Sequence, residues 1–158
     1  MTTQYDIELL QTIVQPTTEP VQLDVAFARR GVKAVTGLQK LVQRYTLALT
    51  TNLGSVPFDK GFGTQFWRDI YAGAGQNAGR LRAAFSFASV DAVRALRAED
   101  RDVRYGDTPP DERIKSAILL NFDVDTRTGT VYLMVQLESE AGEGYQYKLP
   151  VEFLGGGT

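Results

Sequence analysis

Residues 114–153 read IKSAILLNFDVDTRTGTVYLMVQLESEAGEGYQYKLPVEF, and their alternation decides the fold class. Apolar residues recur with the two-residue period of strands that bury one face. In the first run Ile114, Ile118, Leu120, Phe122 and Val124 share one face, and Lys115, Asn121, Asp123 and Asp125 take the other. Thr126-Arg127-Thr128-Gly129 supplies turn chemistry. Val131, Leu133, Val135 and Leu137 then alternate with Thr130, Tyr132, Met134 and Gln136. After Ala141-Gly142-Glu143-Gly144, a third run sets Tyr145, Tyr147, Leu149, Val151 and Phe153 against Gln146, Lys148, Pro150 and Glu152. The three runs predict an antiparallel meander. Pro150 has no N–H for a ladder, which predicts an edge position for the third strand. An edge strand is an open row of donors and acceptors to which another chain can add.

Helical spacing precedes the strands. Leu38, Leu41, Val42, Tyr45 and Leu49 form one face of a helix over 37–50, with Thr36-x-x-Gln39 as a capping box. Gln39, Lys40, Gln43 and Arg44 fall largely on the other face. A second helix is expected over about 64–71, carrying Phe66, Trp67, Ile70 and Tyr71 and ended by Ala72-Gly73-Ala74-Gly75. Asn77 caps a third, over about 78–98, with Leu81, Phe85, Ala88, Ala92 and Leu96 inward. Ser86, Ser89 and Asp91 are places where it could divide in two. Arg80, Arg82, Arg94 and Arg97 give it a basic face, read as solvated because no aromatics interleave as a single-strand binder requires. Helices lead and strands follow. The expected class is therefore α+β, with three to four helices packed on a C-terminal antiparallel sheet of about three strands. Residues 1–24 are read as a polar arm, with a short strand around Tyr5, Ile7 and Leu9 and breaks at Pro16 and Pro20. Residues 25–154 are read as one domain and 155–158 as a flexible tail.

The composition removes most enzyme classes. With 158 residues the chain is read as one domain with a real core. It contains no Cys and no His, so disulfides, thiolate nucleophiles, Ser-His-Asp catalysis and the usual zinc ligands are absent. A net charge of −2 gives no global attraction to nucleic acid or anionic membrane. No apolar run is long enough to span a bilayer, and MTTQYDIELL lacks the pattern of a secretory signal. A non-enzymatic protein without cofactor or metal is expected.

Between the first two helices lies Leu47–Trp67, LALTTNLGSVPFDKGFGTQFW. Gly54, Gly61 and Gly63 permit backbone angles closed to other residues, and Pro57 restrains Val56 to extended conformations. Phe58, Phe62, Phe66 and Trp67 are apolar anchors. A packed loop of any α+β domain could use the same residues. Their order, however, resembles the signature of the gene-25-like (W-like) baseplate wedge proteins of contractile phage tails: an apolar helix, L-x-T, a Gly turn, Pro, then F-G leading into a helix. The matching corner residues are Gly54, Pro57, Phe62, Gly63 and Trp67. The family usually carries Glu-Pro-Arg where helix passes into sheet. Glu99 and Arg101 match, Asp100 replaces the Pro, and the resemblance implies a structural Glu99–Arg101 ion pair. It also implies a virion protein assembled in the bacterial cytoplasm. Its partners would be other wedge proteins through a helical bundle, the tail sheath, and the tail tube or central hub. The strand Tyr145, Tyr147, Leu149, Val151 and Phe153 becomes the candidate sheath contact. Neither nucleic acid nor membrane is expected as a partner.

Rival readings use the same chain. A type VI secretion or pyocin-like particle would contain an equivalent component. A tail-associated muramidase would need two carboxyls across a cleft, for which Glu99 with Asp107, Asp111 or Glu112 could be nominated. Asp59, Asp123 and Asp125 are a weak calcium set without the D-x-D-x-D-G loop. Gly73-x-Gly75 lacks the rest of a phosphate loop and is read as a helix terminator. A generic adaptor unrelated to tails is the last alternative.

Overall fold

The structure is a computed structural model that describes residues 6–7, 10–13, 21–25, 34–102 and 107–152. The elements in chain order are β1 (Asp6–Ile7), β2 (Leu10–Ile13), β3 (Val21–Val25), β4 (Ala34–Val35), α1 (Gly37–Thr50), α2 (Phe66–Tyr71), α3 (Ala78–Arg101), β5 (Ile114–Asp125), β6 (Thr130–Ser139) and β7 (Gly144–Glu152). The class is α+β, with helices packed on the C-terminal antiparallel meander β5-β6-β7.

One core joins the layers. Leu41, Tyr45 and Leu49 of α1, Phe66 and Ile70 of α2, and Leu81, Phe85 and Leu96 of α3 are all buried. They meet Leu133, Val135 and Leu137 of β6 and Tyr147 and Val151 of β7 in one apolar cluster. The expected inward residues of α3 are buried throughout, and Asn77 Oδ1 accepts the Arg80 N–H at 3.0 Å. The helix does not divide at Ser86, Ser89 or Asp91 but runs unbroken to Arg101. Ser89 is instead drawn into the core, where Tyr45 donates its hydroxyl to Ser89 Oγ at 2.8 Å. Thr46 Oγ1 donates to the buried Tyr147 hydroxyl at 3.2 Å. A buried hydroxyl with a partner avoids the cost of an unmet polar group.

The start of α1 differs from a capping box. Thr36 is the N-cap residue but makes no side-chain cap bond. Gly37 occupies φ +62°, and its N–H donates to Glu112 Oε1 at 3.0 Å. A residue distant in sequence therefore satisfies a donor that a local Thr was expected to satisfy.

The first strand of the meander departs from simple alternation. The β5–β6 register shifts between Ile114 and Ser116 and again between Leu119 and Asn121. Each irregularity exchanges the faces of the residues that follow. Ile114, then Ala117 and Leu119, then Phe122 and Val124 face the core in turn. Ile118 and Leu120, expected inward with Phe122, are 52% and 40% exposed. The even-numbered set is not one face.

The third strand is not a free edge. The strand order is β2-β3-β7-β6-β5. β3 lies parallel to β7, with Val21 opposite Tyr147 and Gln22 opposite Lys148. The segment read as a separate arm thus contributes a hairpin, β2-β3, to the same sheet. The paired register on β7 stops at Lys148, two residues before Pro150, which has no N–H to extend it. β5 lies at one end of the sheet order and β2 at the other. The expected short strand near the start is seen at Asp6–Ile7 and pairs with Ala34–Val35. Phe153 and 155–158 lie outside the described residues, as do Tyr5, Leu9 and Pro16.

Candidate functional site

The corner between α1 and α2 is a closed backbone structure. α1 ends with Thr51 N–H donating to the Leu47 carbonyl at 2.9 Å. The chain leaves, turns, and returns beside its own exit. Thr64 N–H donates to the Thr51 carbonyl at 2.8 Å, and Leu53 N–H donates to the Thr64 carbonyl at 2.9 Å. The buried Thr64 hydroxyl donates to the Leu49 carbonyl at 2.6 Å and accepts the Phe66 N–H at 3.1 Å. One side chain therefore joins the end of one helix to the start of the next. Gly63 makes the closure possible. It sits at φ +99°, and a Cβ there would lie 2.5 Å from the Thr51 carbonyl oxygen.

The corner anchors divide. Phe66 is fully buried against Phe85 in an edge-to-face pair, with centroids 6.5 Å apart. Phe62 and Trp67 are half-buried against the core. Phe58, expected as a fourth anchor, is fully exposed at the loop tip, and Pro57 is exposed beside it. Gly61 does not adopt a left-handed angle, so it lacks the role given to it with Gly54 and Gly63. Trp67 stacks on Tyr71 at 5.9 Å, leaving Tyr71 67% exposed.

The junction after α3 forms an ionic cluster, but not the expected one. Glu99 Oε2 accepts from Arg44 Nη2 at 3.1 Å, and Asp100 Oδ1 accepts from the same atom at 2.9 Å. Arg44 Nη1 donates to the Glu112 carbonyl at 3.1 Å. Lys40 Nζ lies 2.8 Å from Glu112 Oε2, with both residues buried. Glu99 pairs with Arg44 and not with Arg101, because α3 continues through both positions and helical neighbours two apart point to different sides. Arg101 is exposed. Burial works against the charge of the Arg44 guanidinium, yet Asp100 and Glu99 outweigh it and hold its pKa above the ordinary arginine value.

Arg44, Lys40 and Glu112 are the residues that the alternation and helix patterns miss. A signal exists in hindsight of the geometry: two cations four apart on α1 and two acid pairs, Glu99-Asp100 and Asp111-Glu112, at the ends of the segments that must meet it. Asp100 is the better buried of the two acids on Arg44, with its side chain 8% exposed against 34% for Glu99.

Glu99 is held by Arg44, and Glu112 by Lys40 and the Gly37 N–H; Glu99 also lines a cavity of about 300 Å3 with Asp59 and Asp102. Asp125 accepts the Arg127 and Thr128 N–H groups at 2.9 and 3.3 Å in the hairpin turn, which lowers its pKa. Among the described residues no three His, Cys, Asp or Glu side chains gather to hold a metal ion. Gly73, at φ +96°, ends α2 as expected. No helix among the described residues is long and apolar enough to cross a membrane.

The residues nominated for sheath contact are mostly core. Tyr147, Leu149 and Val151 are buried, and Tyr145 is half-buried and stacked on Tyr147 at 6.4 Å. Tyr147, Leu149 and Val151 have no exposed side chain to offer a partner, and part of the β7 backbone is paired with β3. Among the described residues β5 is the strand that ends the sheet order beside β6, and α3 and β5 enclose a groove. One cavity of about 540 Å3 is lined by Val90, Val93, Ala98 and Ala117, with Arg94, Arg97 and Arg101 around it. An adjoining cavity of about 350 Å3 shares Ser89, Val90 and Ala117 and adds Arg82, Ile118 and Leu119.

The chain matches no family model. No curated protein and no solved structure is significantly similar to it.

Proposed function

We propose that this chain is a structural subunit of the baseplate wedge of a contractile injection machine of the phage-tail type. It works by surfaces and carries no catalytic step. The reading rests on the sequence resemblance through 47–67, and the corner is the observation that carries it. Gly63 brings the entry of α2 against the exit of α1, so the F-G step has a mechanical reason. Two helices are thereby locked at a fixed angle beside the sheet. Such a rigid elbow suits a part that must pass a change of shape between neighbours without absorbing it.

In that role the helices would pack with helical segments of other wedge proteins, and a sheet margin would meet the sheath. The Arg44 cluster would stiffen the joint between α1 and α3. No cofactor is required. Co-expression with candidate wedge and sheath proteins tests the proposal. A stable complex that survives gel filtration is expected. A chain that remains alone in every combination contradicts it, and turnover of purified cell wall by the isolated protein would replace it with an enzymatic role.

A further inference from the structure

We propose that this chain binds a second copy of itself head to tail, the Phe58 turn of one copy seating in the α3–β5 groove of the next. Phe58 is 100% exposed in the loop between α1 and α2. A single exposed apolar side chain carries no meaning by itself. This one stands on a braced loop. At its base Asn52 and Thr64 pair in a short bridge. Above that, Ser55 N–H donates to the Asn52 carbonyl at 3.0 Å, and Phe62 N–H donates to the Asp59 carbonyl at 3.2 Å. Lys60 Nζ donates back to the Gly54 carbonyl at 3.1 Å, and Asp59 Oδ1 accepts the Gly61 N–H at 3.0 Å. A ring presented by a loop that is already ordered loses little freedom on docking.

The two sides of α3 supply the reason for a second copy. Ala95, Glu99 and Asp102, at i, i+4 and i+7, line a hollow of about 300 Å3 with Asp59 and Phe62 at the foot of the loop. Val90, Val93, Arg94, Arg97 and Arg101 line the groove of about 540 Å3. At 3.6 residues per turn these sets lie on opposite sides of the helix. Among the described residues no Lys or Arg lines the hollow, and no Asp or Glu lines the groove. One side therefore carries an apolar knob above an acidic hollow, and the other an apolar hole with a basic rim. Each is complementary to the other and not to itself. The Phe58 ring covers Val90, Val93 and Ala117 of the second copy. The long arginines at the rim pass beside the loop to the hollow, where Arg44 already takes Glu99 and Asp59 lies exposed to receive them.

A symmetric pairing through the groove would set Arg94 and Arg97 of one copy against the same arginines of the other, a like-charge contact that works against binding. Phe58 lines neither the hollow nor the groove of its own chain, so both it and the groove are open to another molecule. A knob on one side and a hole on the other make a heterologous contact. It leaves one of each unfilled at the ends, so further copies can add. The contact forms whatever larger assembly the chain serves, and its failure would leave the baseplate reading untouched.

Sedimentation velocity on the full chain reads the mass. The wild type should be a 17.4 kDa monomer when dilute and should climb past twice that mass as its concentration rises from about 1 μM to about 1 mM. Added NaCl should weaken the climb. Phe58→Asp spoils the knob, and Arg94→Glu with Arg97→Glu spoils the rim; each should weaken association about tenfold or more. Mixed together, the two variants should pair and stop at two copies, because one keeps a groove and the other a knob. Arg127→Glu, in the β5–β6 turn, should associate like the wild type. All four replaced residues are exposed, and circular dichroism checks that each variant is folded. A wild type that stays monomeric at about 1 mM, or that stops at two copies, would overturn the proposal. So would knob or rim variants that associate unchanged, or a mixture of the two that fails to pair.

Discussion

Arginines on α1 and α3 fall into two groups with opposite surroundings. Arg44 has a side chain only 15% exposed and is clasped by Glu99, Asp100 and the Glu112 carbonyl. Arg82, Arg94, Arg97 and Arg101 are exposed along α3, and Arg94 keeps a side chain 74% exposed. The same side chain is a rivet in one place and an open hand in the other. The difference comes from the partners that surround each one. A buried cation must be neutralised where it sits, whereas an exposed one can lend its charge to a ligand. Mutation should therefore separate the two groups by consequence: stability for the first, binding for the second.

The largest expected effect is Arg44→Ala. Removing the guanidinium leaves Asp100 nearly buried without its cation, which should cost about 3–5 kcal/mol. The melting temperature should fall by roughly 6–20 °C for a chain of this size. Calorimetry checks this, and a change within about 1 °C would mean that the cluster is solvated.

Next comes the face assignment of β5. Leu119→Ala, on the core side of the bulges, should cost about 1–2 kcal/mol, while Ile118→Ala next to it should stay within about 0.5 kcal/mol. Denaturant unfolding of the pair decides it; equal losses would mean that the strand alternates regularly.

Alkaline pH probes the buried hydroxyls. Burial raises the pKa of Tyr45 and Tyr147 above the ordinary tyrosine value, and beside Tyr147 the neighbouring Tyr45 adds to the shift. A raised folded pKa means stability that is fully present below the unfolded value near pH 10 and is lost as pH climbs through the folded value. Unfolding midpoints between about pH 9 and 12 should fall in the wild type and fall less in Tyr45→Phe. At neutral pH that variant should be weaker by only about 1 kcal/mol, the loss of one hydrogen bond to Ser89. An equal alkaline loss in both would contradict the assignment.

The smallest effect on stability is expected from Arg94→Ala and Arg97→Ala, each within about 0.5 kcal/mol. Losses of several kcal/mol would place these arginines in the first group and erase the comparison.

Local patterns were legible where one period governs a whole element. Helix α1, the inward stripe of α3, and strands β6 and β7 follow directly from spacing. Gly63 was legible as a special backbone position, although the Thr51 carbonyl that demands it was not. The register shifts in β5 were invisible because ILL at 118–120 offers an apolar residue to either face, so alternation cannot reveal a bulge there. The spacing placed Arg44 on the polar face of its helix and no further, for a similar reason. A cation on the polar side of a helix reads the same whether water or two distant carboxylates will meet it. Pro150 pointed to an edge through its missing N–H, but a neighbour need not pair along the whole strand, and β3 pairs with β7 just short of it. Long-range closure, in each case, decided what short-range pattern left open.

The role proposed for this chain is that of a mechanical joint in a contractile machine. Its most direct measurement is electron microscopy of particles built from a full set of baseplate and sheath proteins, with and without this subunit. Omission is expected to leave tubes without an attached, contractile sheath. Sheathed tails that form and contract in its absence would contradict it.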